Sequence, residues 1–311
     1  MNKISNRQVV CDTLLKLAER DKEIVVLTSD SRGSASLGEF AKMYPKQFVE
    51  VGIAEQNIVG IAAGLAASGK KAFVASPACF LTMRSIEQIK LDAAYSNTNV
   101  KFIGISGGVS YGALGMSHHS LQDIAVLRAI PGIGVFLPAD RHETKRLFEE
   151  LVKVEGPAYI RIGRNPVEDI YESDDYDFKI GKAVTLREGS DITIIACGET
   201  MKIAIDCADE LKKEGISCRV LNMHTIKPLD EEAIISAAKE TKYIITIEEH
   251  SIYNGLGAAV SQVVVENCPV LMSIIGIPDE PAIAGDSSEI FNYYGLTTSN
   301  VKNIAKKMLK K

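Results

Sequence analysis

The sequence predicts an α/β protein of two doubly wound, mostly parallel sheet domains. Three observations carry that expectation. Short β-branched runs alternate with amphipathic helical segments along the chain, several of those runs are apolar without alternation, and one acidic, aperiodic stretch near residue 170 breaks the rhythm. A strand that is apolar at every position is buried on both faces, as a parallel strand flanked by helices must be. The 311 residues, 46% hydrophobic and 24% charged, are enough for two such cores.

In chain order, the first half should place strands over 24–27, 48–51, 72–75, 100–105, 134–137 and 158–162. Helical patterns over 7–19, 54–68, 85–95 and 141–154 lie between them. Residues 164–177 are acidic, contain Pro166 and show no period, which reads as a linker. The expected division is therefore 1–165, a linker over 166–179, and 180–311. The second half repeats the alternation, with strands over 192–195, 218–221, 243–247 and 270–277 and helices over 201–213 and 231–239. The basic tail 302–311 closes an amphipathic helix with cations near its C-terminus.

A formal charge of -5, with no basic run beyond that short helical tail, argues against nucleic-acid or membrane-surface binding. The N-terminus lacks the apolar core of a signal peptide, and no stretch is long and apolar enough to span a bilayer, so a cytoplasmic location is expected. Six scattered cysteines without a Cys-x-x-Cys pair read as reduced, buried thiols. The five histidines show no metal-ligand spacing, so no metal site is expected in this chain.

Ligands of open α/β sheets bind beyond the carboxyl ends of the strands, which directs attention to the loops after residues 27, 51, 75, 105 and 162. Glu55 is the sole acid between Val51 and Gly69, at the mouth of a helix of small and apolar residues. It either complements the helix dipole or faces a crevice. After Ile105 runs Ser106-Gly-Gly-Val-Ser-Tyr-Gly112-Ala-Leu-Gly-Met-Ser-His118-His119, a loop with four glycines and adjacent histidines. His118 reads as a proton donor or acceptor suited to polarising a carbonyl, and His119 as a cap for the next helix. The spacing matches neither a dinucleotide nor a Walker loop. Arg7, Ser34 and Arg164 are the residue types a phosphate requires, although each taken singly reads more readily as a solvated or structural residue. Phe80 and Cys79 read as core on composition alone, and Glu248-Glu249-His250 as a structural turn into a helix.

Taken together, Gly52-Ile-Ala-Glu55-Gln, Ser76–Phe80, Gly112–His118, and Ala129-Ile-Pro-Gly132 with Leu137-Pro-Ala-Asp140 resemble the pyrimidine-binding domain of transketolases. Ile247-Glu-Glu-His-Ser251 and Gly255-Leu-Gly257 resemble the transketolase C-terminal domain, so the likeness covers nearly the whole chain. The resemblance implies that Glu55 hydrogen-bonds N1' of the aminopyrimidine of thiamin diphosphate, with Phe80, Met83 and Ile86 also at the cofactor. It implies that Asp30 lines the substrate channel, that His118 binds or polarises the sugar, and that Arg7, Ser34 and Arg164 hold a sugar phosphate. The implied reaction passes a two-carbon ketol unit from a ketose to an aldose.

Three residues depart from the family pattern. Leu114 stands where an acid is usual, Ser106 where a histidine is frequent, and Met83 where a second aromatic packs on the ring. The sequence also contains no Gly-Asp-Gly, the family's motif for the diphosphate and its Mg2+ or other divalent cation. The resemblance is thus to the C-terminal subunit of a transketolase made in two pieces. A separate N-terminal subunit would hold the metal, in a heterotetramer of two copies of each chain. The beta subunit of a 2-oxo acid dehydrogenase, deoxyxylulose phosphate synthase and a non-catalytic scaffold of the same fold remain alternatives at this point. Pentose phosphate metabolism and a specialised sugar catabolism are both compatible settings.

Overall fold

The computed structural model describes residues 4–310. The first half runs α1 (Asn6–Arg20), β1 (Ile24–Thr28), α2 (Gly38–Met43), β2 (Phe48–Glu50), α3 (Glu55–Ala67), β3 (Lys71–Pro77), α4 (Ala78–Gln88), β4 (Val100–Ile105), α5 (Asp123–Arg128), β5 (Gly134–Phe136), α6 (Arg141–Leu151) and β6 (Ala158–Ile162). The second runs β7 (Val184–Arg187), β8 (Ile192–Ala196), α7 (Met201–Lys213), β9 (Cys218–Asn222), β10 (Thr225–Lys227), α8 (Glu231–Glu240), β11 (Tyr243–Ser251), α9 (Leu256–Asn267), β12 (Leu271–Ile277), α10 (Ser287–Tyr294) and α11 (Thr298–Met308).

Two sheets result, one ordered β10-β5-β6-β4-β3-β1-β2 and the other β12-β11-β8-β9-β7. Every pairing is parallel except β10 with β5 and β7 with β9. The fully buried runs β1, β4, β6 and β8 lie inside their sheets, covered by helices on both faces, as continuous apolar strands demand. Because β1, β2, β3, β4 and β6 are mutually parallel, their carboxyl ends share one edge, and that edge carries the candidate site.

Two elements differ from expectation in ways that matter for the site. The helix expected to begin at Ser85 begins at Ala78, directly after β3, with a break at Ser85 (φ -118°, ψ 17°) and a π-helical continuation over Ile89–Tyr95. This puts Phe80, Met83 and Arg84 on a helix rather than a loop. The second surprise is β10, which leaves the second half and pairs with β5 of the first sheet, so the two halves share a sheet. Residues 163–183 contain no helix or strand, yet they are strapped to α6. Asp140 Oδ2 accepts from the N–H groups of Ile170 and Tyr171, Arg141 pairs with Asp169, and Lys145 with Asp174.

Candidate active site

Glu55 is the first residue of α3, whose next turns are built from Gly60, Ile61, Ala62, Ala63 and Gly64. Its side chain is only 6% exposed, and its Oε1 accepts from Arg84 Nη1 at 2.9 Å. Arg84 itself is 47% exposed, so the pair is one buried carboxylate held by a surface cation, an arrangement of small net stability. Around them lies an open depression of about 610 Å³ lined by Ile53, Ala54, Gln56, Met83 and Arg84. Ile53 and Met83 are both more than half exposed there. One acid is thus set in a rim where apolar Ile53, Ala54 and Met83 alternate with polar Gln56, Asn57 and Arg84.

From Glu55 the site continues through a series of neighbouring side chains. The Arg84 guanidinium lies 3.9 Å above the Phe80 ring, the two residues being one helical turn apart on α4. His118 meets the Phe80 ring edge-on at 5.1 Å, and Tyr111 meets His118 at 5.4 Å. The Arg164 guanidinium lies 5.2 Å from the Tyr111 ring. Arg7 completes the arc, donating to the Ser34 carbonyl at 2.8 Å. Burial, and after it the charge of neighbouring Arg164, pull the Arg7 guanidinium below its ordinary value. Two guanidinium groups close enough to repel one another would be relieved by an anion between them.

His118 is half-buried, with Nδ1 3.0 Å from Ser117 Oγ, which leaves Nε2 for a ligand. His119 does not cap the next helix. It turns back into its own loop, where Nε2–H donates to the Gly112 carbonyl at 3.0 Å, and burial lowers its basicity. Asp30 is exposed, in a left-handed conformation (φ 53°), with its N–H donating to Glu50 Oε1 at 2.7 Å. Ile86 packs against the core beneath α4. Ser34 contributes its backbone carbonyl to this arc. Burial pushes the Cys79 thiol up to about 11, in keeping with an inert side chain.

Three residues of the arc carried no distinct signal in the sequence. Arg84 and Tyr111 are ordinary surface types whose role appears only once distant segments meet. Glu50 is exposed, yet it accepts from Thr28 Oγ1, Asp30 N–H and Gly52 N–H, fastening the loops after β1 and β2 together. Among the described residues, no three His, Cys, Asp or Glu side chains converge so as to hold a metal ion. Nor is any helix among them long and apolar enough to cross a membrane.

The chain matches the family models described as transketolase, pyrimidine binding domain over residues 2–168 and transketolase, C-terminal domain over residues 181–301. It is 55% identical over 310 residues to an apulose-4-phosphate transketolase subunit of Phocaeicola vulgatus, covering 100% of this chain and 99% of that one. It is 38% identical to the 6-deoxy-6-sulfo-D-fructose transketolase subunit SqwH of a Clostridium species, covering 96% and 92%. Among solved structures, one described as a split gene transketolase, inactive beta4 tetramer, superimposes with a TM-score of 0.90 at 36% identity and 99% coverage of both chains. A Pichia stipitis transketolase shares the fold, with a TM-score of 0.85 at 21% identity, over 46% of its own length.

Proposed function

The chain belongs to the transketolase family, and from that premise we propose that it is the C-terminal subunit of a two-chain, thiamin-diphosphate-dependent transketolase. Together with an N-terminal subunit it would pass a two-carbon ketol unit from a ketose bearing a terminal anion to an aldose phosphate. The observation that carries this reading is the Glu55 site: a buried carboxylate paired with a half-exposed arginine that lies on the Phe80 ring, with Ile53 and Met83 exposed beside it. That donor set fits an aminopyrimidine. Glu55 can hold the proton at ring N1' while Phe80 and Met83 pack on the ring, once the Arg84 guanidinium has moved off the Phe80 face. A weakly polar setting strengthens such a hydrogen bond. When bound, the cofactor supplies the electron sink for breaking a carbon–carbon bond beside a carbonyl.

The chain's remaining residues divide the work on the sugar. His118 Nε2 stands at the centre of the arc, where it can donate to a substrate oxygen. Asp30 lies along the channel, and Arg7 with Arg164 takes the distal anion. The names of two relatives, one for a sugar phosphate and one for a sulfonated sugar, support a substrate with such a group. They favour a specialised sugar catabolism over pentose phosphate metabolism. The depression is open on its outer side, which supports a second chain completing it. That partner would bring the Gly-Asp-Gly motif, the diphosphate site and Mg2+ or another divalent cation, in a tetramer of two copies of each chain.

The test is reconstitution. Mixed with its N-terminal partner, thiamin diphosphate and Mg2+, the chain should move a ketol unit from at least one of apulose 4-phosphate, fructose 6-phosphate and sedoheptulose 7-phosphate. Either chain alone should be inactive. Decarboxylation of pyruvate by the pair, without ketol transfer, would assign it instead to the 2-oxo acid dehydrogenases.

A further inference from the structure

The loop that carries His118 is closed at a neck and exposed at its tip, where Leu114 and Met116 are both about half exposed. At the neck, Gly108 and Ser120 donate N–H groups to each other's carbonyls at 3.1 and 2.8 Å. The neck therefore helps to set the place of the tip, together with the contact of His118 with the Phe80 ring. The neck is gripped from the second sheet domain. Val109 N–H donates to Glu249 Oε1 at 2.7 Å, and Ser251 N–H donates to the Leu121 carbonyl at 3.1 Å. Arg161 Nη2 donates to the Glu249 carbonyl at 2.5 Å and lies 3.5 Å from Glu249 Oε2. The same guanidinium lies 3.7 Å from Asp123 Oδ1, and Asp123 opens the helix into which the loop leads. Arg161 thus joins the two ends of the loop through one acid at each.

We propose that Glu249, oriented by Arg161, is a positioning residue that sets the place of His118, so that the second sheet domain takes part in the reaction through this grip. Two further observations single out the loop itself as the object of the contact. A Cβ on Gly107 would come within 2.3 Å of Arg161 Nε, and one on Gly108 (φ +60°) within 2.1 Å of Glu249 Cδ. The glycine pair admits the two charged side chains to the loop backbone, and any larger residue would keep them out. Secondly, all three charged groups are buried: Asp123, Arg161 and Glu249 are at most 8% exposed. A buried ion cluster contributes little net stability against an apolar replacement, whereas it does fix one geometry. Ser287, also in the second half, adds a hydrogen bond to the Val109 carbonyl at 3.3 Å.

The proposal rests on the role given above to His118, and its test separates the two. In the reconstituted two-chain enzyme, with the best donor of the three named above, Glu249→Ala should lower kcat/KM by about a hundredfold, the scale of a ~1 Å misplacement. Binding of thiamin diphosphate, followed by fluorescence titration, should be unchanged. The double variant with His118→Ala should be no slower than His118→Ala alone, because both remove the same interaction. Glu249→Gln, whose carbonyl still accepts from Val109 N–H, should recover most of the activity. Losses that multiply in the double variant, or weaker cofactor binding in Glu249→Ala, would overturn the positioning role while leaving the reaction intact. Should Glu249→Ala not assemble, Arg161→Lys goes through the same cycle with the same two outcomes. A wild-type pair without ketol transfer would sink the assigned reaction and this proposal together.

Discussion

Glu55 is buried, while the cation it pairs with, Arg84, is half exposed. That condition distinguishes it from a helix-dipole acid, which would sit in water, and from a structural ion pair, which would be enclosed on both sides. The glutamate was legible in the sequence because an acid stands out in a run of small apolar residues. Arg84 was not legible, because its partner lies 29 residues away and the two meet only through the fold. Tyr111 was hidden in the same way, between His118 and Arg164. At this scale the anion site gives the sharpest expectation. Arg164→Ala should raise KM for a phosphorylated donor by about 10–100-fold, the equivalent of one charge-assisted hydrogen bond of ~1.5–3 kcal/mol. Turnover of an unphosphorylated donor should be nearly unchanged. Steady-state kinetics with matched donors checks this, and equal losses on both would remove Arg164 from the phosphate site.

At the level of elements, the continuous apolar strands were legible because burial on both faces leaves a local trace in composition. The two antiparallel strands were not. β7 alternates half-buried and exposed residues at a sheet edge, and β10 is three residues long and pairs with β5 from the other half of the chain. Helices α2 and α5, six residues each, are too short to display a period. α6 illustrates how polar contacts between elements escape the sequence. Asp140 caps it by accepting from Glu143 N–H at 2.9 Å, and fully buried Glu143 returns to Ala139 N–H at 2.8 Å. Glu143 also accepts from Asn222 Nδ2 at 2.8 Å, joining α6 to the end of β9. Burial, partly offset by Asn222, pushes the Glu143 carboxyl up to about 7.

Glu143→Ala should therefore cost about 2–4 kcal/mol, as more than one buried donor loses its acceptor. The sign of its pH dependence follows from the raised value. A carboxyl with a folded pKa above its unfolded one stabilises most where it is protonated in the fold, and that contribution is lost as pH rises through about 7. The wild type's advantage over Glu143→Ala should accordingly be larger at about pH 5 than at about pH 8. Urea unfolding at the two pH values measures it. An equal or reversed difference would contradict the assignment.

For the whole molecule, two mostly parallel sheets, the first of which takes in β10 from the second half, bring loops from both halves to one edge. The first sheet supplies Glu55, Phe80, His118 and the arginines, and the second grips the loop on which His118 sits. The division into two α/β units was expected from the change of rhythm near residue 170. Their joining was not, because β10 and the Arg161–Glu249 contact link segments whose separation leaves no local pattern. The central claim concerns the whole assembly: a carboxylate in this chain controls the protonation of a cofactor ring whose diphosphate is held by another. The most direct measurement is single-turnover ketol transfer by the reconstituted pair carrying Glu55→Gln. Turnover should fall by about 10²–10⁴-fold, the range for loss of a positioned acid–base group, with assembly and cofactor binding retained. Turnover at the wild-type rate would contradict the account.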